Sequence, residues 1–320
     1  VNSLSFVGKV QTFLKKDPSL LVVAGLAVLC LTPSCSRENK VSREIAEHYG
    51  KKDYYETVLL CKRALAGGVE SGEVYYYYGM SLVNLDRDYE AFRRLEKLRI
   101  LNPVLAARAA SNLLSLARDD FAAGSRRRAG ERFAEAAELD PAVDLGSMYY
   151  LVAELYYRKK DYHKTVRFYE KALVAKPDTA AAENAYMNMA DAYAKLNEKS
   201  KAKDCYRKVL ERFPRGSAAE RARWNLADIL LYEGARENEF GNYEETIRLM
   251  EELLSLTDNL NFIQNGRYLL GQAYEGMAEY GEAYKQYKAI LDSDTGSSGG
   301  VVKKAEARLE EFKRAGIGHD

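Results

Sequence analysis

Seven side chains in this sequence are suited to metal binding or nucleophilic chemistry: Cys30, Cys35, Cys61, Cys205, His48, His163 and His319. No pair of the cysteines stands at a metal-site spacing. The histidines fall in three unrelated places, His163 in a turn between helices and His319 in the tail. No HExxH, glycine-rich phosphate loop, GxSxG or cysteine–histidine pair accompanies them. Glu244–Glu245 and Glu251–Glu252 have the spacing of solvated helix faces. These residues point away from catalysis, and neither metal nor cofactor is expected. Cys61 and Cys205 lie in apolar stripes, where a thiol serves as a small buried side chain.

Charge gives no reason to expect nucleic acid as a partner. The chain has 48 lysines and arginines against 47 aspartates and glutamates, so it carries no basic excess of the kind nucleic acid attracts. Its 320 residues allow two globular domains or one long repeat array. Six prolines are few for that length, as expected of a chain that is nearly all helix.

The elements that organise the chain are clearest in residues 146–179. Tyr149, Val152, Ala153 and Tyr156 form one apolar stripe at helical spacing. A turn follows at Lys160-Asp161-Tyr162. Val166, Tyr169, Ala172 and Leu173 form a second stripe, and Pro177 stops it. Helices this short need neighbours to be stable. The rest of the chain supplies neighbours of the same kind.

An apolar–small pair, a tyrosine, an Asp-Tyr turn, an Ala-Leu pair and a closing proline together resemble the tetratricopeptide repeat. The resemblance implies that Ala153 and Ala172 sit where the two helices of a repeat cross. Thr165 takes a third such position, where alanine is usual. It also implies an all-α, right-handed α-solenoid of about seven helix hairpins with a C-terminal capping helix.

Taken in order, the first repeat covers Val41–Gly68, with Asp53, Tyr54 and Thr57 in register and a weak first helix near Ser42–Tyr49. The second runs from Glu73 to Pro103. Its run Tyr75–Tyr78, wound on a helix, turns two rings inward and two outward. The third, Ala110–Val143, carries Arg126-Arg127-Arg128 at the start of its second helix, where cations oppose the helix dipole. That run reads as a solvated turn or as a contact for lipid headgroups or an acidic partner. The fifth is Glu183–Gly216. The sixth, Glu220–Leu260, holds an insertion near Gly234–Phe240, read as a longer first helix or a bulging loop. The seventh is Asn265–Thr295. Asp294–Gly300 reads as a flexible break. Val302, Ala305, Leu309 and Phe312 mark the cap.

Residues 1–40 read as lying outside the repeat fold. Leu20–Leu31 is a 12-residue apolar run behind Lys9, Lys15 and Lys16. It is shorter than the roughly 20 residues of a membrane span and has the length of a signal-peptide core. The phrase LTPSC, ending at Cys35, resembles the lipobox of bacterial lipoproteins, although Thr32 stands where a large aliphatic residue is usual. The resemblance implies lipidation of Cys35, which becomes the new N-terminus after cleavage, so that residues 1–35 are signal and lipid anchor, and a periplasm-facing location; Ser36 suits outer-membrane sorting. An uncleaved N-terminal anchor and a cytoplasmic chain with an apolar start are the alternatives. The array then occupies 36–297, and 298–320 hold the end of the break, the cap and the tail. The phrase ERFPRGSAAERARWNLAD resembles the inter-repeat phrase of outer-membrane-assembly lipoproteins of this repeat class.

In the tetratricopeptide family, fixed positions on first helices face the inside of the superhelix and hold partners. Carrying that register over yields a groove of Tyr76, Arg118, Phe121, Tyr150, Glu154, Tyr157, Arg158, Asp191, Trp224, Asp228, Tyr232 and Tyr268. Rich in aromatics with a few charges, it resembles peptide-binding and interface surfaces. The resemblance implies a non-enzymatic scaffold that binds proteins or peptides, with no nucleic acid. Association with a periplasmic solute-binding or transport system is the alternative, as is a cytoplasmic scaffold if the N-terminus is not a signal.

Overall fold

The computed structural model describes residues 33–176, 180–293 and 299–317, with side chains from residue 38 onward. The apolar run, Pro177, most of the glycine-serine break and His319 lie outside the described residues. Every regular element among the described residues is an α-helix. They are α1 Pro33–Gly50, α2 Tyr54–Ala66, α3 Gly72–Asn84, α4 Asp88–Leu95, α5 Leu98–Leu101, α6 Pro103–Ala122, α7 Arg126–Leu139 and α8 Met148–Arg158. There follow α9 Tyr162–Ala175, α10 Ala180–Lys195, α11 Lys199–Arg212, α12 Ala219–Glu239, α13 Tyr243–Leu256, α14 Leu260–Gly276, α15 Tyr280–Asp292 and α16 Gly300–Arg314.

One turn recurs seven times. Lys52, Asp86, Gly124, Lys160, Asn197, Gly241 and Ala278 each adopt a left-handed conformation between the two helices of a hairpin, with φ between 57° and 81°. At each, the next residue's N–H reaches back to a carbonyl five residues earlier, as from Asp161 to Tyr156 and from Glu279 to Tyr274. This is the Schellman closure, which satisfies the last carbonyls of the first helix. The same residue then starts the second helix. Asp53 and Asp161 cap it, their carboxylates accepting from the N–H groups of Glu56 and Lys164. One short segment thus ends one helix and begins the next.

The close crossings also repeat. Ala153 and Ala172 are fully buried, as the resemblance implies. Thr57, Thr165 and Thr246 are fully buried too. Each donates its hydroxyl to the carbonyl four residues back: Asp53, Asp161 and Asn242, at 2.7, 2.8 and 3.1 Å. A threonine fits the small position because its one polar atom is used locally. Gly79 is tighter still: a Cβ there would stand 2.4 Å from the Leu95 side chain.

Three expectations are corrected. The first helix begins at Pro33 rather than near Ser42. Residues 38–40 are exposed and polar, so no apolar period marks them. Three rings of the Tyr75–Tyr78 run are buried rather than two, because α3 has neighbours on three sides: α1 and α2 before it, α4 within its repeat, and α6 after it. Arg128 is not merely solvated: it bridges Asp120 and Asp86. The insertion of the sixth repeat extends α12 to 21 residues, with Gly234 buried against Met250.

The described residues form two compact units, divided between Leu145 and Gly146. In each, a helix packs on its neighbours in sequence, the arrangement of an α-solenoid. First helices also meet first helices of adjacent repeats: α1 with α3 and α3 with α6 in one unit, α8 with α10 and α12 with α14 in the other. The cap α16 covers α15, burying Val302, Ala305 and Phe312 on Tyr287 and Ile290. No helix among the described residues is long and apolar enough to cross a membrane.

Candidate functional site

Two helix faces of the second unit converge on Asp191. It lies on α10, and each of its carboxylate oxygens accepts a phenol. Tyr157 on α8 donates to Oδ2 at 3.2 Å, and Tyr206 on α11 donates to Oδ1 at 3.0 Å. Burial raises the pKa of both phenols, and the Asp191 charge raises it further. Both therefore stay protonated and act as donors near neutral pH. Asn225 on α12 donates its amide to the Tyr206 oxygen at 3.1 Å. An equivalent bond, with the same separation of nineteen residues, joins Asn188 to Tyr169 one repeat earlier.

Tyr157, Asp191, Tyr206 and Asn225 wall a cavity of about 310 Å³, completed on its polar side by Tyr162, Lys195 and Asp228. Asp228 is exposed and lies one repeat beyond Asp191 in register. Further along the same helix Trp224 is 54% exposed and Tyr232 57% exposed. The Trp224 ring meets Phe262 of α14 edge-on at 5.8 Å between centroids. Its neighbour is thus in the seventh repeat. The Lys199 ammonium stands 3.8 Å from the Tyr232 ring centroid, a cation–π contact.

The remaining residues of the inferred groove are placed as follows. Glu154 and Arg158 pair with each other across one turn of α8 at 2.6 Å. Tyr150 donates to the Lys176 carbonyl at 2.5 Å and tilts against Tyr169, so it is half occupied by its own repeat. Tyr268 packs on Tyr287, with Lys304 of the cap over its ring. Arg118 is exposed and Phe121 half-buried under the Arg126 guanidinium, both in the first unit. Tyr76 is only 2% exposed: its hydroxyl accepts from Asn112 at 2.9 Å, and Arg108 covers its ring. Its side chain has no face to offer. Cys35 lies on α1 by its backbone, and its side chain is outside the described residues.

The structure therefore brings Tyr157, Asp191 and Asp228 to one cavity, with Trp224 and Tyr232 flanking on α12. It keeps Tyr76, Arg118 and Phe121 in the other unit. Sequence reasoning missed Tyr206 and Asn225. Tyr206 belongs to a second helix and reads as core; the equal placement of Asn188 and Asn225 in successive repeats was the available signal. It also missed an ion network in the first unit. Arg132, 4% exposed, binds Asp120 at 2.8 Å and Asp88 at 3.0 Å, tying α7 to α6 and α4. Among the described residues no group of histidines, cysteines and carboxylates could hold a metal ion.

Residues 144–215 match the tetratricopeptide repeat family. That segment spans α8 to α11, two complete hairpins. No curated protein matches the chain. Several solved structures do. One is the C-terminal part of a TPR repeat-containing protein from Cytophaga hutchinsonii, 17% identical over 84% of this chain and 99% of the other, with a TM-score of 0.35. Another is the TPR domain of P58(IPK), 13% identical over 88% and 99%, with a TM-score of 0.26. A third is Naa15/Naa10 bound to HypK-THB, 18% identical over 88% of this chain, with a TM-score of 0.36. This chain spans 39% of that one's length.

Proposed function

We propose that this tetratricopeptide repeat protein is a protein-binding scaffold whose contact surface is the first-helix face of α8, α10 and α12. The observation that carries the reading is Trp224. A large aromatic ring more than half exposed, beside a second exposed ring and an unburied carboxylate, has the composition of an interface anchor. The core side of α12 is already filled by Leu226, Ala227 and Leu230, so folding does not require the indole. The fold is typically a non-enzymatic interaction scaffold.

The test uses the partner captured from solubilised membranes and identified by mass spectrometry. Trp224→Ala is expected to weaken its binding by about 2 kcal/mol, the scale of a hot spot, with the melting temperature nearly unchanged. Equal binding by the variant would remove α12 from the site.

The finer reading is a lipoprotein tethered through Cys35, facing the periplasm of a bacterial envelope and working in outer-membrane protein assembly. The apolar run and the LTPSC phrase support it. More than one acyl chain is needed for a stable anchor. Labelling with a radioactive fatty acid is expected to mark the wild type and not Cys35→Ala; an unlabelled wild type in the aqueous phase would reject the tether. A second reading, handling of a small solute, is favoured by the cavity at Asp191. Its volume of about 310 Å³ is near the lower end of the roughly 300–1,000 Å³ of small-molecule pockets.

A further inference from the structure

The second repeat carries a projecting turn that contributes little of its surface to the core. Helix α4 ends at Leu95, α5 adds one turn over Leu98–Leu101, and α6 begins at Pro103. Leu95 and Leu98 face inward and are fully buried. Outward, Ile100 is 86% exposed and Val104 78% exposed, with Leu101 exposed between them. Single exposed aliphatic residues are ordinary, but a contiguous set marks a surface that meets something else. The charge around them is mostly positive. Arg93, Lys97 and Arg99 are exposed, and none forms an ion pair among the described residues. Arg94 beside them lies over the Tyr78 ring. Against these four cations, residues 93–104 hold one carboxylate, Glu96. Tyr89, one turn before Arg93 on α4, is exposed as well.

We propose that this turn docks on an anionic phospholipid surface. Ile100, Leu101 and Val104 enter the boundary between headgroups and acyl chains, while Arg93, Lys97 and Arg99 meet lipid phosphates. Apolar insertion and attraction to anionic lipid add together in such binding. Shape favours a bilayer over other polyanions. The aliphatic side chains project from a turn instead of lining a groove, and a bilayer needs no complementary pocket. A nucleic acid would use the cations and leave three aliphatic side chains in water. The inference is independent of the protein-binding face on α12 and of any lipid on Cys35.

The test reads the turn locally, so anchoring elsewhere in the chain does not obscure it. In the full chain, Trp224→Phe with Ile100→Trp leaves a single indole at the tip. With phosphatidylcholine vesicles containing about a quarter phosphatidylglycerol, its emission is expected to shift blue and to be quenched by brominated acyl chains. The effect should be several-fold weaker with phosphatidylcholine alone, and weaker again when Arg93, Lys97 and Arg99 become glutamate. Val104→Trp, in the same Trp224→Phe background, is a second reporter against local misfolding. Unchanged emission from vesicle-bound protein overturns the proposal. So does emission already blue-shifted without vesicles, which would mean that the chain covers its own turn. Protection of the indole by polyglutamate alone, with no quenching by brominated lipid in its absence, would also overturn it, assigning the turn to an acidic protein.

Discussion

Asp191 and Asp228 occupy the same register position in successive repeats, yet they do different work. Asp191 accepts two phenols from two helices and holds α8, α10 and α11 together. Asp228 is exposed at the mouth of the same cavity and supports no part of the fold. Asp191→Ala leaves two partly buried hydroxyls without their acceptor and is expected to cost about 1–3 kcal/mol in urea unfolding. Asp228→Ala is expected to stay within about 0.5 kcal/mol of wild type. Equal losses in the two variants would show that the hydrogen bonds to Asp191 do not stabilise the unit. The pair also explains why the family register alone could not separate scaffold from surface. Register fixes which way a side chain points, but not what the neighbouring repeat brings to meet it. Tyr76 fails as a groove residue for that reason, since Asn112 and Arg108 arrive from α6 and close over it.

At the scale of the element, the hairpin turn is the most regular feature of the chain. Five of its seven left-handed residues are not glycine: Lys52, Asp86, Lys160, Asn197 and Ala278. A side chain there costs roughly 1–2 kcal/mol, and glycine's extra freedom when unfolded gives back about 0.5–1 kcal/mol of any gain. Lys160→Gly is therefore expected to raise stability by about 0.5–1 kcal/mol, seen as a higher urea midpoint at unchanged slope. A lower midpoint would mean that the Lys160 side chain has a use the backbone does not reveal. The hairpins were legible in the sequence because their determinants are local: Asp161 at the cap, Thr165 one turn on, Ala153 and Ala172 at the crossing. What lay beyond the hairpin was less legible. The start of α1 carries no apolar period. The Arg132 network unites charges from α4, α6 and α7, each of which reads on its own helix as an ordinary solvated side chain.

Across the whole molecule, tyrosine takes a place that leucine commonly fills. The chain has 24 tyrosines, and burial raises the pKa of several, Tyr49 and Tyr169 to about 12. A phenol whose folded pKa exceeds its unfolded value near 10 contributes stability that is fully present below about pH 10 and is lost as the pH rises toward 12. The buried thiols Cys61, at about 12, and Cys205, at about 11, act in the same direction from about pH 8.5 upward. The melting temperature is thus expected to fall steeply above pH 9–10. Phenolate absorbance should grow in two steps, exposed rings first and buried rings on unfolding. A single step at the ordinary pKa would show that the rings are not buried in solution. The Asn188–Tyr169 and Asn225–Tyr206 bonds, alike in spacing and in the helices they join, carry one more implication. The fifth repeat presents to the sixth, through Tyr206, the chemistry it receives from the fourth through Asn188. A gene duplication copying one repeat in frame would hand the newcomer a ready-made seat on both sides. Length along this stack is then a heritable variable, and lineages can lengthen or shorten it without inventing a new interface.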